Sequence, residues 1–271
     1  MSNYKYDIVI VHGPNDNKVL PDCVEFIKKN VGGRRNIYII SYNSSCDIFT
    51  QEIFKDCKIY HENIFPFSKL DVNIINQTPQ RDGWYLQQLL KLYVSFVIEE
   101  ILDDYVIIDS DVIFLKNIEF KSDNKYIYNI GKEVIHQPYF EHMKKLHPTF
   151  QRLANHSGIA HYMLFNRDII RELFDIVEKY HFSLTNENKP FWKIFLEQVT
   201  VDNRGKSGAS EYELYFNFMI KNHNDKIIIK SINYEETSFN NWIIYRDFFI
   251  KNNYMEYVAL HYYIWDNIYT S

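Results

Sequence analysis

Short runs of β-branched and aromatic residues set the first constraint on this chain. YDIVIV at 6–11, NIYIISY at 36–42, CKIYHE at 57–62 and DYVIIDSDVIFL at 104–115 punctuate its first half. Continuous apolar runs such as YDIVIV belong to strands buried on both faces, which is the condition of a parallel sheet. Between the first two runs lies CVEFIKKNVGG, amphipathic at helical spacing and closed by Gly32 and Gly33, residues that readily supply the positive φ of a helix C-cap. The recurring strand, helix, strand order predicts a parallel α/β sheet with right-handed crossovers.

A length of 271 residues fits one large α/β domain with insertions. The formal net charge of −5 argues against a nucleic-acid surface, which needs basic stripes to displace counterions. The three cysteines, Cys23, Cys46 and Cys57, show no C-x-x-C spacing and leave an odd number, so neither a disulfide framework nor a zinc site is indicated. The apolar run before Gly13 is too short for a signal peptide or a transmembrane segment, so a cytoplasmic protein is expected and the N-x-S/T triplets at Asn43, Asn76 and Asn155 carry no glycosylation meaning. Aromatics reach 17%, alongside abundant Asn, Ile and Lys. Sugar-facing rings and AT-rich codon usage, of a bacterium or a large DNA virus, both account for that excess.

Further along, NIINQTPQRDG reads as a loop leading into WYLQQLLKLYVSFVIEE, the strongest helix pattern in the chain. Most of that helix is apolar, yet Gln87, Lys91 and Ser95 fall at i, i+4 and i+8 with Gln88 beside them, a polar stripe that suits a polar cleft. KYIYNI reads as a strand and HQPYFEHMKKLHPTFQRLANHS as loops, short helices or a lid. SGIAHYMLFN follows as a strand, RDIIRELFDIVEKY and NKPFWKIFLEQV as helices, and SEYELYFNFMIKN as a helix with Ser210 at its N-cap. KIIIKSI and YVALHYYIW read as late strands, and no repeat or linker divides the chain.

In an extended segment residues two apart share a side, so Asp109 and Asp111 in DSD are expected to present both carboxylates to one spot. Buried unpaired charge is costly, and hard oxygen ligands at that spacing suit Mg2+ or Mn2+. The mouth of a parallel sheet is also where open α/β folds bind ligands.

Taken together, GWYLQQLLKL, VIIDSDVIFL, HYMLFNRDIIREL and SEYELYFNF resemble, in that order, blocks of a glycosyltransferase-like family, over roughly residues 5–265. A D-x-D after a central strand, behind a βαβ unit, is similar to the metal site of nucleotide-sugar glycosyltransferases of the GT-A fold. The resemblance implies a single GT-A-like, Rossmann-type domain with a mixed, mainly parallel sheet flanked by helices. Residues up to about 116 would form its nucleotide-binding half, and 117–271 its acceptor side and C-terminal metal-ligand segment. It implies transfer of a sugar from a nucleotide sugar, a UDP-sugar above all, to a hydroxyl of a glycan, lipid-linked or protein acceptor. Asp109, Asp111 and His261 would hold Mn2+ or Mg2+, and the cation would stabilise the departing diphosphate. His12, Gly13, Asn15, Asn43, Arg81, Gln87, Gln88, Lys91 and Ser110 are the nucleotide-sugar candidates.

Glu211, at a helix start after a Gly-Ser loop, is the candidate catalytic base for an inverting displacement. In a retaining enzyme it would instead orient a hydroxyl or stabilise charge at the anomeric carbon. Glu213 is the backup, though two residues further along a helix it would point elsewhere. His136, His142, His147 and His156 are assigned to an acceptor-facing region, and His161 equally to a packed strand. Two alternatives stay open: a relative that binds nucleotide or carbohydrate without turnover, and a haloacid-dehalogenase-like phosphohydrolase. Against the latter, about a hundred residues precede DSD and Ile113 stands where that family tends to carry Thr or Val.

Overall fold

A computed structural model describes residues 4–131, 135–251, 254–261 and 264. The chain opens with β1 (Tyr6–His12), α1 (Leu20–Asn30), β2 (Arg34–Ser41), β3 (Cys57–His61), α2 (Lys69–Asn76), α3 (Asp82–Val97) and β4 (Asp104–Asp109). It continues through β5 (Val112–Phe114), β6 (Lys121–Ser122), β7 (Lys125–Ile130), α4 (Gln137–Leu146), β8 (Tyr162–Asn166), α5 (Arg167–Thr185), α6 (Phe191–Glu197) and α7 (Val201–Arg204). It closes with α8 (Glu211–Asn222), β9 (Ile227–Ser231), β10 (Tyr234–Thr237), α9 (Phe239–Lys251) and β11 (Tyr257–Leu260).

The main sheet has the order β3-β2-β1-β4-β8; its first four strands run parallel and β8 runs antiparallel to β4. This is the α/β architecture with a mixed, mainly parallel sheet that the sequence leads one to expect. Two smaller sheets, β10-β11-β5 and β6-β7-β9, complete the described strands. The period of two explains why the central strands are apolar throughout. Ile8, Ile10, Ile37, Ile39, Val106 and Ile108 enter one core with α1 and Trp242. Val9, Val11, Tyr38, Ile40, Tyr105 and Ile107 enter the opposite core with α3, α5 and α8.

Asp7, the polar exception in YDIVIV, is fully buried and fully satisfied. Its carboxylate accepts from Arg35 Nε at 3.0 Å and Nη2 at 2.5 Å, from the Asn36 N–H at 3.0 Å and from the Leu102 N–H at 2.8 Å. Bidentate guanidinium pairing plus two backbone donors offsets the cost of desolvating that charge.

Four local expectations need correction. Helix α1 ends at Asn30 with Val31 extended, so Gly33, at φ +77°, serves the turn into β2 and not a C-cap. A Cβ on Gly33 would stand 2.7 Å from the Tyr4 carbonyl oxygen. Asn73–Asn76, read as loop, belongs to α2, whose N-terminus is fixed by a capping box between Ser68 and Asp71. DYVIIDSDVIFL is two strands: the chain turns at Ser110 and Asp111 and passes from the main sheet into the small one. Strand β8 begins only at Tyr162, because His161 sits at φ +58°, outside extended geometry. Of the late YVALHYYIW run, Tyr262, Tyr263 and Trp265 lie outside the described residues. Among the described residues no helix is long and apolar enough to cross a membrane.

Candidate active site

Strand β1 has β2 on one side and β4 on the other, so the strand order reverses between β1 and β4 and opens a crevice beyond their C-terminal ends. Val11 is in register with Asp109 there, and the loop that follows β1 folds across to the D-S-D turn. Ser110 Oγ donates to Asp16 Oδ2 at 2.6 Å. Burial pushes the Asp16 carboxyl up to about 7, Asp111 and Asp109 add to the rise, and the Ser110 hydrogen bond opposes it.

Behind the turn sits a buried ion triad. Lys91 Nζ, on α3, lies 2.6 Å from Asp109 Oδ1 and 2.6 Å from Glu211 Oε1; the side chains of Lys91 and Glu211 are only 4% and 5% exposed. Tyr212 OH donates to Asp109 Oδ1 at 2.9 Å, and its ring lies 4.4 Å from the ammonium. Gln88 Oε1 accepts the Glu211 N–H at 3.1 Å, one of the orphan donors of the α8 N-terminus, while Ser210 Oγ caps the Glu213 N–H at 3.2 Å. Burial lowers the Lys91 ammonium, but Asp109 and Glu211 more than reverse that and hold it charged. For Glu211, burial pushes the carboxyl up, Lys91 pulls it back and Asp109 adds to the rise. The polar stripe on α3 therefore faces inward: Ser95 donates to Tyr105 OH at 3.2 Å, and Gln88 and Lys91 face α8. Gln87 is half-buried beside them.

Asp111 looks the other way. Its Oδ2 is 3.2 Å from His261 Nδ1, while Oδ1 is buried with no hydrogen-bond partner among the described residues. His261 follows β11 directly and is positioned by two backbone bonds, Leu260 N–H to the Asp111 carbonyl at 2.9 Å and His261 N–H to the Thr237 carbonyl at 3.1 Å. Burial alone would raise Asp111 and lower His261; their contact reverses both, so Asp111 is held low and His261 high. His161 is beside them, 5.0 Å from His261 between ring centroids, with its carbonyl accepting the Asp109 N–H at 2.9 Å. The turn at Ser110 thus sends the two aspartates to different partners, where the sequence spacing led us to expect one shared spot.

His12 is buried. Ser41 Oγ gives its proton to the Asn43 carbonyl at 3.0 Å, so it accepts from His12 Nδ1–H at 3.0 Å, and Nε2 is left without a hydrogen-bond partner among the described residues. Gly13 accepts the Asp16 N–H at 3.2 Å in the same loop, Asn15 is exposed, and the Asn43 side chain accepts the Ser45 N–H at 3.1 Å. Arg81 is placed at the loop before α8, donating to Ser207 Oγ at 3.1 Å with its guanidinium 5.4 Å from the Trp84 ring. That loop presses on α3 so closely that a Cβ on Gly208 would meet Val199 at 2.6 Å and Tyr85 OH at 2.8 Å. His136 joins it through the Ser207 carbonyl at 2.7 Å, whereas His142, assigned to an acceptor-facing region, is a core residue bonded to the Phe195 carbonyl at 2.8 Å. Glu213 accepts from Ser157 Oγ at 2.6 Å and from Asn217, pointing away as expected.

Sequence reading missed Asp16, Tyr212 and Glu236. Asp16 had a local signal, an acidic residue one step beyond Asn15 in the same turn-rich loop; Glu236, in an unremarked YEET strand, had none.

No curated protein matches the sequence. Solved structures similar to it include mouse xyloside xylosyltransferase 1 in its apo form, 11% identical, with 96% of this chain and 99% of that one covered at a TM-score of 0.49. The galactosyltransferase LgtC in complex with donor and acceptor sugar analogs is 11% identical, covering 94% of this chain and 86% of that one at a TM-score of 0.47. The apo WbbM bifunctional glycosyltransferase is 11% identical, covering 96% of this chain and 46% of that one at a TM-score of 0.48. The sequence model of a family of unknown function, DUF6492, matches residues 33–257, and the chain belongs to that family.

Proposed function

We propose that this protein is a divalent-metal-dependent glycosyltransferase of GT-A type, a single domain that transfers a sugar from a UDP-sugar to an acceptor hydroxyl. The observation that carries this reading is the charge at the β1/β4 crevice: Asp16, Asp109, Asp111 and Glu211 converge there, with Lys91 between Asp109 and Glu211 and His261 beside Asp111 among the described residues. A site with surplus carboxylate and an unpaired Asp111 Oδ1 suits a divalent cation. Asp111 and His261 would hold it, and when bound it would neutralise a nucleoside diphosphate and ease its departure. Asp109, already paired with Lys91 and Tyr212, shapes the wall of the site. In an inverting displacement Glu211 takes the acceptor proton; in a retaining one it stabilises charge at the anomeric carbon.

Calorimetric titration of UDP is expected to show binding that requires Mn2+ and is lost in Asp111→Asn. Silence of UDP, GDP and CDP alike, with and without Mn2+, would overturn the nucleotide-sugar reading. Glu211→Gln is expected to keep Mn2+-dependent UDP binding while slowing UDP release from the productive UDP-sugar by about a hundredfold, the low end of what a positioned acid or base contributes. An unchanged rate would remove Glu211 from the chemistry.

A further inference from the structure

We infer that the cation is bound chiefly by His161, Glu236 and His261, a two-histidine, one-carboxylate set. Asp111 orients His261 through Oδ2 and offers its unpaired Oδ1 to the same ion, and the site selects Mn2+, Co2+ or Zn2+ over Mg2+. The inference rests on the cation-site reading above and adds His161 and Glu236 to its ligands.

Three strand ends bring these residues together. Glu236 lies on β10, in register with Ala259 of β11; His261 is the residue after β11; His161 is the residue before β8. One donor atom from each lies within 4.8 Å of the others, and His161 Nε2 is 4.0 Å from Glu236 Oε1. Donors around an ion at about 2.1 Å stand roughly 3–3.5 Å apart, so closure needs side-chain shifts on the order of 1 Å.

The groups behind the two rings are of the kind that orient metal-binding histidines. His161 Nδ1 bonds Tyr257 OH at 3.2 Å and His261 Nδ1 faces Asp111 Oδ2 at 3.2 Å, so in each ring Nδ1 is the oriented nitrogen and Nε2 the ligand atom. Glu236 is 36% exposed where the two rings are 11% exposed, so the set opens toward solvent and leaves positions for water or phosphate oxygens. Imidazole nitrogens favour later first-row metals, whereas Mg2+ demands oxygen donors and near-ideal octahedral geometry. His161 also holds φ +58°, a left-handed conformation that costs a non-glycine residue stability and persists at sites where it positions a group.

Co2+ titration followed by visible ligand-field absorption tests this without turnover. The wild type is expected to bind Co2+ with a spectrum diagnostic of nitrogen ligation and at least about tenfold tighter than Mg2+. His161→Gly and Glu236→Gln should each weaken Co2+ by about tenfold or more. Glu236→Gln keeps the size of a side chain that is 36% exposed, so its melting temperature should stay near that of the wild type and a binding loss there is not a folding loss. Equal Mg2+ and Co2+ affinities, or Co2+ binding insensitive to both variants yet abolished by Asp111→Asn, would overturn the inference and return the ion to Asp111 and His261 alone. Co2+ binding as expected with UDP silent would sink the nucleotide reading and leave this site standing.

Discussion

Lys91→Met is expected to destabilise the protein by about 3–5 kcal/mol, the cost of breaking a buried ion pair from one side. The substitution roughly conserves the shape of the side chain, so the loss is electrostatic: Asp109 and Glu211, each 2.6 Å from the ammonium in the wild type, would face each other without a cation. Tyr212 OH and the Gln88-bound N–H at the start of α8 soften the loss without supplying a charge. At about 2–4 °C per kcal/mol the melting temperature should fall by roughly 6–20 °C. A double-mutant cycle separates this from simple packing. Lys91→Met with Glu211→Gln removes one of the stranded carboxylates, so the pair should be less destabilised than the sum of its members by about 1–3 kcal/mol. Additive losses would show that the Lys91 ammonium and the Glu211 carboxylate are not energetically coupled, and the triad would then not be an electrostatic unit.

The same triad shows what a sequence of this kind discloses. Lys91, Asp109 and Glu211 were each legible because a local rule exposed them: a charge on an apolar helix, a carboxylate at a strand end, an acid behind a Ser N-cap. Their mutual pairing was not legible, since α3, β4 and α8 meet only in the folded chain. The parallel strands were readable because both faces are buried and the pattern is continuous. The break at Ser110 was not, because DYVIIDSDVIFL has strand character on both sides of the turn and only the change of sheet separates β4 from β5. Helix α2 had a capping signal in S-x-x-D, but eight residues with Leu70 and Ile74 facing solvent give a weak amphipathic pattern. Helix α9 was obscured in the same way, as Ile243, Ile244 and Phe248 are exposed where periodicity would require polar residues. Glu236 carries no local mark at all, and its proximity to His261 is a product of register between β10 and β11, while His161 reaches them from the start of β8.

Acid should find the protein at two buried histidines. His12 and His142 are each 1% exposed, and burial lowers both to about 4 from an ordinary value of 6.5, despite an opposing hydrogen bond in each case. His142 donates Nε2–H to the Phe195 carbonyl at 2.8 Å while Nδ1 has no hydrogen-bond partner among the described residues, so protonation would leave a buried charge. Because the folded value lies below the unfolded one, the unfolded chain binds more protons between pH 6.5 and 4; stability is full above that window and lost as pH falls through it. The loss is about 3 kcal/mol per histidine by pH 4. Asp16, Glu211 and Glu213 have carboxyls raised in the fold and tilt stability the other way, so the raw slope understates the histidines. A difference measurement isolates one of them. His142→Phe strands the Phe195 carbonyl and should cost about 1–3 kcal/mol at pH 7. In urea unfolding from pH 7 to 4, however, the variant should lose about 3 kcal/mol less than the wild type, closing that gap or inverting it. A gap that stayed constant would mean that His142 takes up its proton as readily in the folded protein as in the unfolded chain, and that α4 opens to water before the fold does.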